Sequence, residues 1–252
     1  MSFVSPEFIL FSVIVCALYF AIPYRFRWLL LLIASYIFYA YWNAWYILLI
    51  VFSTMVDYVV AREIHKTAIP RKRKMLLLVS MAVNLGVLFA FKYFNFFNDS
   101  AAELLQSLGI AYNAATLNVL LPVGISFYTF QSMSYTIDVY RRDIEPERNP
   151  GIFATYVAFF PQLVAGPIER AGNIIPQFHK QHDFNYDRIV NGLRRILWGM
   201  FKKVVIADHL AIYVNAVYND VHGYSGLVLM IATIFFAFQI YCDFSAYSVS
   251  AQ

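Results

Sequence analysis

Long apolar runs, separated by short polar or charged connections, are the feature that most constrains the fold of this chain. The runs cover residues 8–22, 28–42, 45–60, 75–97, 117–140, 204–218 and 227–244. Hydrophobic residues make up 61% of the sequence and charged residues 13%, whereas a soluble globular domain is about half apolar and about a quarter charged. Runs of this length predict helices that cross a membrane. We therefore expect an all-α, polytopic transmembrane bundle of about seven spans that forms one membrane domain over residues 1–252.

The positive charges lie in alternate connections, with Lys92 near the outer end of the fourth run as the one exception, and this predicts an orientation. Two basic residues follow the first run, six lie between positions 62 and 74 after the third, and three lie between positions 141 and 148 after the fifth. The connections at 43–44 and 98–117 contain no Lys or Arg. Because cytoplasmic loops carry the excess of basic residues, we expect the N-terminus outside the cytoplasm and the odd-numbered runs to end inside it.

Two further segments differ from simple spans. Residues 153–164 form an apolar run that is short and interrupted by proline, which favours a re-entrant or interfacial helix. Residues 185–203 have the pattern of an amphipathic helix, because Arg188, Arg195 and Lys202 recur every seven positions. Such a helix is expected at an anionic membrane surface.

Polar and helix-breaking residues interrupt the apolar sequence between positions 118 and 170. They are Gln131, Asp138, Pro161, Gly166, Pro167, Glu169 and Arg170. A simple membrane anchor needs no such residues, and polar groups at membrane depth usually face protein or a water-filled cavity. We therefore predict the functional cavity here, with these residues as tunnel-lining or substrate-supporting groups. Asp243, near the end of the last apolar run, is a further candidate of the same kind.

Structural roles are the alternatives for the same residues. A hydrogen bond across the bundle accounts for Gln131 and Asp138, which share one face of their run, at least as well as substrate contact does. A tight turn at the interface is the alternative to a tunnel wall for the prolines and the glycine. Glu169 and Arg170 either pair with each other or contact a phosphate-bearing donor such as acyl-CoA. For Asp243 a structural partner among the basic residues is favoured, because an unpaired carboxylate at membrane depth is costly.

Four segments together resemble a known family: LPVGISFYTFQSMSYTIDVYR, FFPQLVAGPIER, GLRRILWGMFKKVVIAD and FQIYCDFSAY. They are similar to signature segments of the membrane-bound O-acyltransferases, in the bacterial branch of alginate O-acetyltransferase membrane subunits. The resemblance implies a bacterial inner-membrane enzyme that moves an acetyl or another acyl group from a cytoplasmic donor, such as acyl-CoA, towards a cell-surface polysaccharide such as alginate. It also implies periplasmic acetyltransferase partners and a surrounding of membrane lipid, with no bound cofactor and no nucleic acid.

The resemblance further implies a catalytic histidine in an apolar context similar to Trp-His-Gly. The histidines of this chain are His65, His179, His182, His209 and His222, and none has this context. In the family the histidine lies well beyond the FQIYCDFS segment. We therefore expect it beyond Gln252 and expect the chain to be C-terminally truncated, so no catalytic residue is assigned within it and activity of the chain alone stays open.

The histidines also allow other interpretations. His179 and His182 have the spacing of two metal ligands, but an obvious third ligand is missing, so a solvated loop is predicted and no metal site. His209 follows Asp208 in an apolar helix, and this favours a polar pair that faces the bundle.

Two other functions fit the composition and spacing. A transporter or channel also uses broken helices and intramembrane carboxylates. A non-catalytic membrane scaffold fits a chain without the family's histidine. Solute flux without acyl transfer would distinguish the first, and stable partner capture that tolerates mutation of Gln131 or Arg170 would distinguish the second.

Overall fold

The computed structural model describes residues 5–109, 122–163 and 169–250, and helices dominate these residues. In chain order the α-helices are α1 (Pro6–Ala21), α2 (Arg27–Asn43), α3 (Ile47–Lys66), α4 (Pro70–Leu88), α5 (Phe94–Ser107), α6 (Ile125–Arg141), α7 (Pro150–Ala158), α8 (Phe160–Leu163), α9 (Ala171–Phe178), α10 (Tyr186–Phe201), α11 (Asp208–Asn219) and α12 (Gly226–Ser250). No described residue lies in a β-strand, so the all-α prediction is confirmed.

Three stretches of the described residues are long and apolar enough to cross a membrane: Tyr24–Lys66, Pro70–Ser107 and Gly226–Val249. Helix α1 is apolar but shorter, with 16 residues. The chain is thus a membrane protein, while the count of about seven spans stays a prediction. Asn43 divides the first stretch into α2 and α3, because its backbone is extended (φ −163°, ψ 115°) and its side chain accepts a hydrogen bond from the Trp45 N–H.

The helix of the fourth apolar run extends further than the sequence pattern predicts. A π-helical turn, Phe89–Tyr93, joins α4 to α5, and α5 continues to Ser107 inside the segment 98–117 that we expect to be a polar connection. The physical reason lies in residues 101–105, which read AAELL and are all strong helix formers. Loss of apolar character therefore ends the predicted run without ending the helix.

Contacts divide the chain into two compact units. One, the central unit, contains helices α2 to α9. The other, the terminal unit, contains α1 and α10 to α12. The single membrane domain stays a prediction.

Helix α6 lies in the core of the central unit, where it packs against α3, α4 and α7. Tyr128 and Tyr135 of α6 and Phe153 and Tyr156 of α7 are fully buried. The rings of Tyr135 and Phe153 pack with their centroids 4.5 Å apart. Helix α7 has nine residues, which is too short to cross a bilayer, and it is buried inside the unit rather than exposed at an interface.

Gly124 fixes the start of α6. Its backbone is left-handed (φ +74°), and a Cβ placed on it would lie 2.2 Å from the carbonyl oxygen of Leu163. Only glycine meets both conditions, because an L side chain is strained at this φ and would overlap the neighbouring backbone. The turn before α6 therefore packs directly against the end of α8.

The terminal unit contains the helix predicted for residues 185–203. It is present as α10, and the side chain of Asn185 caps it by accepting a hydrogen bond from the Arg188 backbone N–H at 2.9 Å. A π-helical turn, Lys202–Ala207, connects α10 to α11. Helix α12 packs along both helices and along the π-helical turn between them.

Candidate functional site

The buried polar face of α6 is the candidate functional site. Gln131 is 3% exposed, and its side-chain amide donates a 2.9 Å hydrogen bond to the backbone carbonyl of Tyr156 in α7. The Tyr156 hydroxyl contacts the backbone carbonyls of Gln131 and Glu169, each at 3.4 Å. Tyr156, which the sequence pattern does not single out, thus connects α6 to the segment that precedes α9.

A carboxylate occupies a second part of this polar face. Asp57 of α3 is completely buried. The Ser80 hydroxyl donates to it at 2.5 Å, and the Asn84 amide nitrogen lies 2.9 Å from both carboxylate oxygens. Ser132 and Thr136 of α6 lie against the same carboxylate. Charge on a buried carboxylate is tolerated only when hydrogen bonds or a cation compensate for lost water.

The described side chains that contact Asp57 are neutral. Within residues 5–109, 122–163 and 169–250, no basic side chain forms an ion pair with it. Its partners come from two helices, and in each helix they are spaced four residues apart, Ser80 with Asn84 and Ser132 with Thr136. This spacing places each pair on one helix face, so the sequence marks two polar faces but not the carboxylate that they meet.

A third group of polar side chains lies where the loop after α6 meets the end of α9. The Tyr135 hydroxyl accepts a hydrogen bond from the Glu147 backbone N–H at 2.9 Å. The buried Glu147 carboxylate contacts Nε2 of His179 at 2.7 Å and accepts from the Asn149 N–H at 2.8 Å. His179 lies exposed in the turn after α9, in line with the predicted solvated loop, and its ring also contacts a carboxylate 32 positions away.

The remaining predicted residues of the 118–170 stretch have varied surroundings. Asp138 is half-buried, and its backbone carbonyl accepts from the Asp143 N–H at 2.9 Å where α6 ends. Pro161 is half-buried in α8. Gly166 and Pro167 lie outside the described residues.

Glu169 and Arg170 stand just before α9. Arg170 is exposed and occupies the N-cap position of the helix. Although both residues belong to the described part of the chain, their side chains form no ion pair with each other. Arg170 therefore presents its guanidinium group to solvent beside a helix N-terminus, where an anion is favoured.

Asp243 has a basic partner in the terminal unit. Its carboxylate lies 2.7 Å from Nζ of Lys203, and the same ammonium group is 2.8 Å from Asp208. Burial lowers the pKa of Lys203, but the carboxylates of Asp208 and Asp243 outweigh burial and raise the pKa above its ordinary value. This geometry fits the structural role that was the favoured alternative for Asp243.

The predicted pair of Asp208 and His209 does not face the bundle. Both residues are exposed, Asp208 contacts Lys203, and Nδ1 of His209 lies 3.1 Å from the Val204 carbonyl oxygen. The prediction fails because the π-helical turn before α11 changes the direction of these side chains relative to a regular α-helix.

A cavity of about 210 Å³ opens between α2, α3 and α7 of the central unit. Its lining is formed by Tyr36, Val51, Thr54, Met55, Tyr58, Pro150, Gly151 and Ala154. None of the described site residues predicted from the sequence lines it. Across the described ranges, no group of three or more His, Cys, Asp or Glu side chains is arranged to hold a metal ion.

Comparison with known proteins gives clear relatives, although no family model matches the chain. The probable alginate O-acetylase AlgI of Pseudomonas aeruginosa is 41% identical over 98% of this chain and 48% of its own length. The protein of the same name from Azotobacter vinelandii is 39% identical, over 98% of this chain and 50% of its own. The chain is their homologue. The resemblance to the alginate O-acetylase branch of the membrane-bound O-acyltransferases is therefore confirmed.

A relative with a different activity in its name also matches. The peptidoglycan O-acetyltransferase of Helicobacter pylori is 32% identical over 86% of this chain and 45% of its own length. The chain spans about half the length of the curated relatives it matches. Because the match covers only half of each relative, the activity of the whole relative is a proposal for this protein.

Proposed function

We propose that this protein is a membrane O-acyltransferase, which moves an acetyl or another acyl group from a cytoplasmic donor towards a hydroxyl of a cell-surface polysaccharide. The observation that carries the proposal is 41% identity to a probable alginate O-acetylase over 98% of the chain. Alginate is the proposed acceptor, because the name of this relative specifies alginate. Acyl-CoA is the proposed donor, because it is an activated acyl group that bacteria make in the cytoplasm.

The proposed location is the bacterial inner membrane, with the N-terminus in the periplasm. The alternation of connections with and without Lys or Arg supports this orientation. Transfer across the membrane then requires periplasmic partners that pass the acyl group to the polysaccharide, and we propose periplasmic acetyltransferases for this step.

The proposed role of the described residues is to support a path for the acyl group, and no catalytic role is proposed for any of them. Gln131, Glu169 and the interposed Tyr156 form one connected hydrogen-bonded group, which would keep α6, α7 and the start of α9 in place. Asp138, Pro161, Gly166, Pro167 and Asp243 stay proposed supporting residues. Arg170 is the proposed contact for a phosphate of acyl-CoA, since it is exposed at the N-terminus of α9.

Peptidoglycan is a second candidate acceptor. The observation that favours it is the 32% identity to the peptidoglycan O-acetyltransferase of Helicobacter pylori. Both polymers offer sugar hydroxyls, so the same acyl-transfer chemistry serves either one.

Complementation tests the activity. The protein would be produced in an alginate-forming bacterium that lacks its own membrane subunit for acetylation, and the acetyl content of alginate and of peptidoglycan would be measured. Acetylated alginate is the expected result. If only peptidoglycan gains acetyl groups, peptidoglycan and not alginate is the acceptor. If the protein reaches the membrane and neither polymer gains acetyl groups, the enzyme proposal fails.

The donor contact has its own test in membrane vesicles supplied with acetyl-CoA. Replacing Arg170 by Gln removes a charge-assisted contact to phosphate, so the KM for acetyl-CoA is expected to rise about fivefold with little change in kcat. Lys180→Gln, at an exposed position just after the same helix, is the matched control. Equal KM values for the two variants would rule out Arg170 as the donor contact.

A further inference from the structure

A groove runs between α1 and α10 in the terminal unit. Its volume is about 440 Å³, which lies within the range of small-molecule sites in proteins. Phe8 and Ile9 contribute to the α1 wall, and Leu193 and Leu197 contribute to the α10 wall. Near one end the two segments meet, where the rings of Phe20 and Phe184 pack edge to face with centroids 5.5 Å apart.

Two polar groups interrupt this apolar lining. Arg194 lines the groove from α10, and Ser12 lines it from α1. In the described part of the chain, Arg194 forms no ion pair, and the buried hydroxyl oxygen of Ser12 has no hydrogen-bond partner. A guanidinium group and a buried hydroxyl without partners both favour a ligand that brings oxygen acceptors.

The ligand must therefore combine an anionic head with an apolar chain. We propose that this groove binds one anionic phospholipid, with its phosphate on Arg194 and Ser12 and an acyl chain along the apolar walls. A zwitterionic phospholipid fits less well, because its ammonium group adds a positive charge close to Arg194. The groove is also too small for a folded protein partner, because ten residues line it and a stable interface uses about 20–30 residues on each side.

The site differs from the general attraction of a basic helix to a membrane. Arg188 and Arg195 are exposed on α10 and do not line the groove, so they act on the anionic surface as a whole. Arg194 alone among these three arginines lies inside the lining. Binding at the groove is therefore saturable at one lipid per chain, whereas surface attraction is not.

Native mass spectrometry of the purified protein tests the proposal without using enzyme activity. The protein would be mixed with equal amounts of phosphatidylglycerol and phosphatidylcholine, and the bound lipids would be counted. One tightly bound phosphatidylglycerol per chain is expected. Arg194→Gln is expected to weaken its binding about tenfold, as loss of a charge-assisted hydrogen bond does.

Arg195→Gln is the matched control, since it removes the same charge one position away. It is expected to leave the tightly bound lipid in place. A second variant, Ser12→Trp, fills the groove and keeps both arginines, and it is expected to remove the lipid as well. Its own folding is verified by an unchanged thermal unfolding midpoint in lipid-free detergent.

Three results would overturn the proposal. Equal binding of the two lipids would show that the charge of the head group is not recognised. Equal losses in Arg194→Gln and Arg195→Gln would assign the effect to the helix surface. Displacement of the lipid by inorganic phosphate alone would show that the apolar walls contribute nothing.

Discussion

The side-chain amide of Gln131 and the backbone carbonyl of Tyr156 are joined by a 2.9 Å hydrogen bond inside the central unit. The donor lies on α6 and the acceptor on α7, and both residues are buried. Tyr156 lies in the last turn of α7, where backbone carbonyls have no donor within the helix, so the Gln131 side chain satisfies this carbonyl and ties the two helices together. Gln131 is thus a connector in the folded state, in addition to any contact it makes with substrate.

Replacing Gln131 by Met keeps most of the volume and removes the donor. We expect a loss of about 0.5–2 kcal/mol in the free energy of unfolding, the range for hydrogen bonds inside proteins and membrane bundles. Denaturant titration of the purified protein in detergent measures it. Phe130→Leu is the control, because Phe130 is adjacent and 49% exposed. If the unfolding midpoint of Gln131→Met is no lower than that of Phe130→Leu, Gln131 has no structural role.

The cluster around Asp57 predicts strong energetic coupling. Asn84→Ala removes the amide that contacts both carboxylate oxygens, so a loss of about 1.5–3 kcal/mol is expected. In an Asp57→Ala background the same change is expected to cost much less, because the charge to be compensated is gone. Gln177→Ala, on the exposed side of α9, is expected to be additive with Asp57→Ala. Additivity of the first pair would contradict a direct interaction.

Gly124 and Gly192 are expected to respond in opposite directions to alanine. At Gly124 the left-handed backbone and the carbonyl oxygen of Leu163 oppose a Cβ, and we expect a loss of at least about 2 kcal/mol in stability. At Gly192 no atom lies within 4 Å of an added Cβ, and a gain of about 0.5–1 kcal/mol is expected in the middle of α10. The thermal unfolding midpoints of both variants measure these changes. A Gly124→Ala variant with an unchanged midpoint would refute the close approach of Gly124 to the carbonyl oxygen of Leu163.

Lys203 separates two carboxylates. Lys203→Met leaves Asp208 and Asp243 near each other without a cation, so it is expected to destabilise by about 1–2 kcal/mol and by more than Asp243→Asn, which leaves one ion pair intact. Lys66→Met is the control, because its pair with Glu63 is exposed and its loss is expected to leave the stability unchanged. A smaller effect for Lys203→Met than for Asp243→Asn would contradict the arrangement.

Local patterns in the sequence predict the local features of this fold well. The apolar runs predict the all-α membrane class, Asn43 marks the break between α2 and α3, and the seven-residue spacing of basic side chains identifies α10. Each of these features depends on neighbouring residues, and helix geometry makes neighbours in sequence into neighbours in space.

The polar contacts were not predictable in the same way. Asp57 meets Asn84 from 27 positions away, and Glu147 meets His179 from 32 positions away. Such pairs depend on how helices pack, which the period of a single helix does not encode. The two π-helical turns were missed for a related reason, because residues that widen one turn follow the same apolar pattern as the regular helix around them.

The π-helical turn at Lys202–Ala207 also sets a rule for how this region can change in evolution. A π-helical turn holds one residue more than an α-helical turn, so it shifts everything after it by about 100° around the helix axis. Deleting a single residue there would restore a regular helix and rotate Asp208 away from Lys203. Between Phe201 and Asp208 we therefore expect substitutions to be tolerated. An insertion or deletion would rotate α11 about its axis, so that a different face of α11 would contact α12.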